Sequence, residues 1–258
     1  MIPLRDDNPT RLTPYVNWLI LAANIAVFLL QYVSGMHEGA RGLTGGISGW
    51  AMVPAEVTHN VDLITNGPTP LHPYWLTIFT AMFMHGGIMH IGGNMLYLII
   101  FGNNIEDALG HVKYLLFYLT CGVIAALSQI AWNPDSVIPT LGASGAIAGV
   151  LGAYFLLFPK AQVDTVIFLG IFFTRTRIAA WILLGFWIVT QFFSQYMGAT
   201  AATGKEQGGV AYLAHIGGFI AGMILIKLFG ARPTPPPPGP DTYTYDYNPH
   251  YPPRGSSR

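Results

Sequence analysis

Long apolar runs separated by short polar breaks organise this chain. Residues 15–33 carry no charge, and further runs cover 88–103, 112–132, 144–158, 178–197 and 210–230, the last with Lys227 near its end. A helix needs about 20 apolar residues to cross a bilayer, so the pattern predicts six membrane helices. The fourth run is shorter than that and works as a span only if its N-terminus starts below the surface, in a wet cavity. Residues 166–173 are apolar but too short to span, and read as interfacial or as a packed loop. The insertion at 34–87 has few charges and holds Trp50, His72, Pro73, Tyr74 and Trp75, then an apolar stretch at 76–84. Trp and Tyr rings favour the headgroup region, so this first loop is expected to be half-embedded.

Composition makes this a membrane protein, and with six helical runs the expected fold class is all-α. Of 258 residues, 52% are hydrophobic and 9% charged, against about 25% charged in soluble domains. The net charge of zero points away from nucleic acid. Cys121 is the single cysteine, which excludes a disulfide or cysteine metal site within the chain. The expected organisation is an N-terminal segment at 1–14, a six-helix membrane domain at 15–230, and a tail at 231–258. That tail turns abruptly to proline and tyrosine and is expected to be disordered or polyproline-like; the alternative is a tail that docks a partner.

Lysine and arginine placement predicts orientation. Arg5, Arg11, Lys113, Lys160, Arg175, Arg177, Lys227, Arg232, Arg254 and Arg258 fall on the N-terminal side of the membrane, against Arg41 and Lys205 on the other. Both termini are therefore expected in the cytoplasm, with the plasma membrane as the expected location. The residues before the first run include two aspartates and no clear basic segment, and no small-residue cleavage site follows the run, so it reads as an uncleaved helix.

Polar residues inside membrane-length segments are costly and mark function. In this orientation the second, fourth and sixth helices run from outside to inside. His90 and Asn94 open the second, Ser144 opens the fourth, and His215 lies one turn into the sixth, all at similar depth. A serine and a histidine at one level suggest a nucleophile and its base. His90 and Asn94 share a helix face and, with the Ser144 N–H, can donate to a developing oxyanion. Ser144, Ala148 and Gly152 leave one face of the fourth helix nearly bare, set opposite His215, Gly218 and Gly222 on one face of the sixth; the fourth helix also carries Gly145-x-x-x-Gly149. Small faces let membrane helices approach closely enough for the contact. The bland readings are that Ser144 caps its helix, that Asn94 clasps a neighbour, and that His90 is a satisfied interfacial histidine. His85 reads as structural, bonding loop backbone.

Three motifs then resemble the rhomboid intramembrane serine proteases over residues 15–230. These are His85 through Asn94 (His-x4-His-x3-Asn), Gly142-Ala143-Ser144-Gly145 (Gly-x-Ser-Gly), and His215 with Gly218 and Gly222 (His-x2-Gly-x3-Gly). The resemblance implies a six-helix bundle and a Ser144–His215 dyad without a third acidic member. It also implies oxyanion binding by His90 and Asn94, no cofactor or metal, and membrane-spanning protein substrates cut near the outer face. Asp135 is the sole acidic candidate near the site. Two departures stand out: Ala148 replaces an aromatic residue that supports the histidine ring in many relatives, and Leu76 follows Trp75 where some have arginine. Other readings remain open. A non-catalytic binder of membrane proteins would use the same scaffold. A transporter would be expected to show half-sequence repeats, which are not evident. A zinc protease through His85, His90 and His215 lacks a His-Glu-x-x-His motif.

Overall fold

The computed structural model describes residues 1–34, 48–63, 72–170, 172–200 and 210–232. The proline-rich tail and Arg41 and Lys205, the two basic residues expected on the outer side, lie outside the described residues. In chain order the elements are β1 (Ile2–Asp6), α1 (Tyr15–Val33), α2 (Pro54–His59), α3 (Thr77–Ala81), α4 (Ile88–Leu109), α5 (His111–Trp132), α6 (Ser144–Leu157), β2 (Gln162–Leu169), β3 (Phe172–Ala179), α7 (Ala180–Thr200) and α8 (Tyr212–Leu228). The fold is mostly helical. Helices α1 and α5 are long and apolar enough to cross a membrane by length and composition, while α6 and α8 are apolar but shorter.

Helix α1 is built inside out. It buries Asn17, Asn24 and Gln31 and exposes Trp18, Leu19, Ile25, Leu29 and Leu30. Trp181, Phe186, Val189, Phe192 and Phe193 are likewise exposed on α7. Apolar surfaces of this extent mark contact with lipid or protein. The buried amides are used locally. Asn17 Nδ2 donates to the Leu98 carbonyl (3.0 Å) and its Oδ1 accepts from the Tyr114 hydroxyl (2.8 Å). Gln31 clamps the main chain of His85, its Oε1 accepting from the N–H (3.1 Å) and its Nε2 donating to the carbonyl (3.2 Å).

Polar residues extend α4 past the expected end at 103. Glu106, fully buried, accepts from the free N–H groups of Val16 (2.9 Å) and Asn17 (2.7 Å), and Asp107 accepts from that of Leu12 (2.7 Å). The end of α4 thus caps the start of α1, which has no side-chain cap of its own. Carboxylates also suit the positive end of a helix dipole.

The all-α expectation is corrected by a three-stranded antiparallel sheet in the order β1-β2-β3. Of residues 166–173, expected as an interfacial segment or packed loop, 166–169 lie in β2 and 172–173 in β3, and Ile178 and Ala179 lie in β3 rather than in the fifth helix. β-Branched and aromatic residues suit a strand pair, and β1 covers one edge. Asp164 pins all three strands, bonding Arg5 (2.9 Å) and Arg175 (2.7 Å), which hold its carboxyl below the usual carboxylate range. The sheet meets the helices where Tyr154, at the far end of α6 from Ser144, donates to Asp6 Oδ2 (2.6 Å).

Burial raises the Asp6 carboxyl to about 6, partly opposed by the bond from Tyr154. A raised acid favours its protonated form, so its stabilising contribution is full below about pH 4 and is lost as pH rises through about 6. Asp6→Asn, which stays neutral, is therefore expected to gain melting temperature relative to wild type between pH 4.5 and 7.5. Parallel melting curves for the two proteins across that range would contradict the assignment.

The centre of the fold is α6, whose residues Gly145 through Tyr154 are all buried. It meets α8 backbone to backbone. A Cβ on Gly218 would lie 2.2 Å from the Gly145 carbonyl oxygen, one on Gly222 1.9 Å from that of Gly149, and one on Gly152 2.1 Å from that of Phe219. The bare seam expected from the sequence is present, but its register runs through Gly145 and Gly149 as well as Ala148 and Gly152.

Candidate active site

The turn before α6 shapes the site. Gly142 has φ of +126°, which an L side chain rarely adopts, and a Cβ there would come within 2.7 Å of His90 Nε2. Its N–H donates to the Ala81 carbonyl (2.8 Å), and Met52 pairs with Thr140 through two main-chain bonds (3.0 and 2.8 Å). The first loop thus braces the segment that delivers Ser144. No side chain caps α6. Ser144 Oγ instead lies 2.7 Å from His215 Nε2. Cap and base partner were alternatives in the sequence; the geometry places this hydroxyl with the histidine.

His215 is 8% exposed, and its Nδ1 lies 2.9 Å from Gln191 Oε1 on α7. Its ring centroid is 5.7 Å from that of Trp187, at an interplanar angle of 34°. Ala148, fully buried, offers the ring no aromatic support; Gln191 and Trp187 hold it from α7 instead. Spacing in the sequence does not single out either residue. Asp135 pairs instead with His59, at the end of α2 (2.7 Å).

His90 presents Nε2 beside Gly142, while its Nδ1 accepts from the Gly86 N–H (3.3 Å). His85 packs its buried ring edge-on against His90 at 5.1 Å. Asn94 is 7% exposed, and its Nδ2 has no hydrogen-bond partner among the described residues. A buried donor left open is costly unless something fills it, which suits an oxyanion subsite. His90, Asn94, Gly142, Ser144 and His215 all line one open cavity of about 1440 Å³, walled on other sides by residues such as Met82 and Trp132. No three described His, Cys, Asp or Glu side chains group as metal ligands.

A family profile described as Rhomboid domain matches residues 72–232, most of the chain and every residue of this cavity's polar floor. The chain belongs to the rhomboid family. It is accordingly an integral membrane protein with apolar helices. It is 28% identical to "Rhomboid protease GluP" of Bacillus subtilis over 217 residues, covering 84% of this chain and 35% of that protein. It is 29% identical to "Rhomboid protein 1, mitochondrial" of Saccharomyces cerevisiae over 154 residues, 58% of this chain and 40% of the relative. Against "Rhomboid-like protein 11, chloroplastic" of Arabidopsis thaliana it is 27% identical over 167 residues, 63% and 55% of the two chains. The matches thus span about a third to just over half of these relatives' lengths. Their names include mitochondrial and chloroplastic proteins, so the comparisons give the plasma-membrane expectation no support.

Proposed function

We propose that this protein is an intramembrane serine endopeptidase that cuts membrane-spanning proteins near the outer face. The observation that carries the reading is the 2.7 Å approach of Ser144 Oγ to His215 Nε2 on the floor of an open cavity. In this reading His215 takes the Ser144 proton as Oγ attacks the scissile carbonyl, then gives it to the leaving amine. Water repeats the cycle on the acyl-enzyme. The Ser144 N–H at the start of α6, His90 and Asn94 receive the negative oxygen, helped by the helix dipole.

The proposed setting is a six-span bundle (α1, α4, α5, α6, α7, α8) with the first loop half-embedded. Residues 1–14 and 231–258 flank that bundle on the cytoplasmic side. Support for one basic end comes from contacts: Lys113 Nζ donates to the Phe229 carbonyl (3.0 Å), Arg232 N–H to that of Ala108 (3.2 Å), and Arg5 to Asp164. That end is opposite the Ser144 end of α6. The cytoplasmic assignment rests on the lysine and arginine bias.

Cleavage of a purified membrane-spanning substrate in detergent or vesicles tests this function. The reading expects turnover that a serine-reactive phosphonate stops and a metal chelator leaves intact. Chelator-sensitive, phosphonate-resistant turnover would point to the metal alternative, and binding without turnover to the non-catalytic scaffold.

For the oxyanion donors, His90→Ala and Asn94→Ala are each expected to slow cleavage by about 10–1000-fold, the range that brackets loss of one such donor. Phosphonate labelling of Ser144 should slow without being abolished. Unchanged kinetics in both variants would assign these side chains to helix packing.

A further inference from the structure

The bond between His215 and Gln191 carries more information than support. Gln191 is 8% exposed, and its amide is oriented by its own helix. Nε2 lies 3.2 Å from the Trp187 carbonyl and 3.2 Å from Thr190 Oγ1. A carbonyl only accepts, so the amide end that faces it must be the NH₂ group. The other end, Oε1, only accepts, and it lies 2.9 Å from His215 Nδ1. The proton therefore sits on Nδ1, and Nε2 keeps a lone pair 2.7 Å from Ser144 Oγ. Turning the amide over would set Oε1 against the Trp187 carbonyl oxygen and NH₂ against Nδ1, forcing the proton onto Nε2, where the imidazole cannot take the serine proton.

We propose that Gln191 is a positioning residue that holds His215 in the tautomer able to act as a base. This inference rests on the Ser144–His215 reading of the site. A neutral amide suits the place. A carboxylate at this depth would need its own desolvation offset, which is expensive away from water. The amide gives the same acceptor geometry without a buried charge. The Trp187 ring, tilted 34° against the imidazole, limits rotation about the remaining axis.

Two variants separate positioning from packing. Gln191→Met keeps length and volume but has no comparable acceptor. Gln191→Glu keeps an oxygen toward Nδ1 whether or not it is protonated; the protonated form also donates to the Trp187 carbonyl. Loss of the partner that orients a metal-bound histidine typically costs about 10–100-fold; by analogy Gln191→Met is expected to lose about that much in kcat, with KM within about twofold. Phosphonate labelling of Ser144 should slow in parallel, and Gln191→Glu should recover most of both rates.

The tautomer is read independently of turnover from ¹⁵N shifts of histidine-labelled protein, with the His215 signals identified by their absence in His215→Ala. A proton on Nδ1 in wild type and in Gln191→Glu, with a mixture in Gln191→Met, is the expected result. A proton on Nε2 in folded wild type would overturn the proposal. So would a Gln191→Met protein with wild-type kcat, or one whose loss Gln191→Glu does not relieve. If Gln191→Met fails to fold, as judged by melting, the wild-type and Gln191→Glu tautomers decide. An inactive wild type with the proton on Nδ1 would contradict the protease reading alone.

Discussion

Ser144→Ala and His215→Ala are each expected to lower cleavage by at least about 10⁴-fold, and the double variant to be little worse than either, because a nucleophile and its base act as a unit. In the proposed reaction Oγ supplies the bond to the acyl group, and Nε2, 2.7 Å away, removes its proton. Without the imidazole the hydroxyl remains a weak nucleophile; without the hydroxyl the imidazole has nothing to activate. Asp135→Asn should leave the rate unchanged, since Asp135 is bonded to His59 at the end of α2 rather than to His215. The measurement is initial cleavage rate for the three catalytic variants and Asp135→Asn, each checked for folding. A His215→Ala protein near wild-type rate would sink the dyad, as would effects that multiply in the double variant.

Gly218→Leu is the next largest expected effect, because backbone contact between α6 and α8 brings the proposed dyad together. Even a Cβ at Gly218 would lie 2.2 Å from the Gly145 carbonyl oxygen, and neither main chain can yield without moving its helix. Overpacking of a tight core costs about 1–3 kcal/mol in stability. The same displacement parts Ser144 from His215, and a 1 Å misplacement can cost about 100-fold in rate. Gly218→Leu should therefore lose at least that much activity and slow labelling of Ser144. Ile220, 46% exposed and off the seam, should accept leucine almost silently. Equal activity in Gly218→Leu and Ile220→Leu would mean the helices do not meet through these glycines.

The sequence disclosed the candidate chemistry more fully than its surroundings. Ser144, His215, His90 and Asn94 were legible because polar side chains in apolar runs are rare, and the glycines beside them marked where helices touch. The backbone seam is wider than the expected face because small residues cover more than one face of α6: Gly145 and Gly149 are as bare as Ala148 and Gly152, and the fold uses both. Gln191 was hidden for a different reason. It is one of two glutamines in α7, and an amide in an apolar helix resembles Asn17, Asn24 and Gln31 of α1, which serve structure; nothing local separates the two roles. The α1 amides recur every seven residues, a stripe that could have marked the buried face. The sheet was missed because residues 166–173 are apolar enough to pass for an interfacial segment. The partner strand at Ile2–Asp6 is about 160 positions away, a pairing no local pattern reports.

The most direct measurement is to label the purified wild-type protein in bilayer vesicles with a fluorophosphonate and map the adduct by mass spectrometry. A single adduct on Ser144, lost in His215→Ala and prevented by prior occupation with a membrane-spanning substrate, is the predicted result. An adduct on another serine, or none on Ser144 in protein that cleaves substrate, would contradict the account.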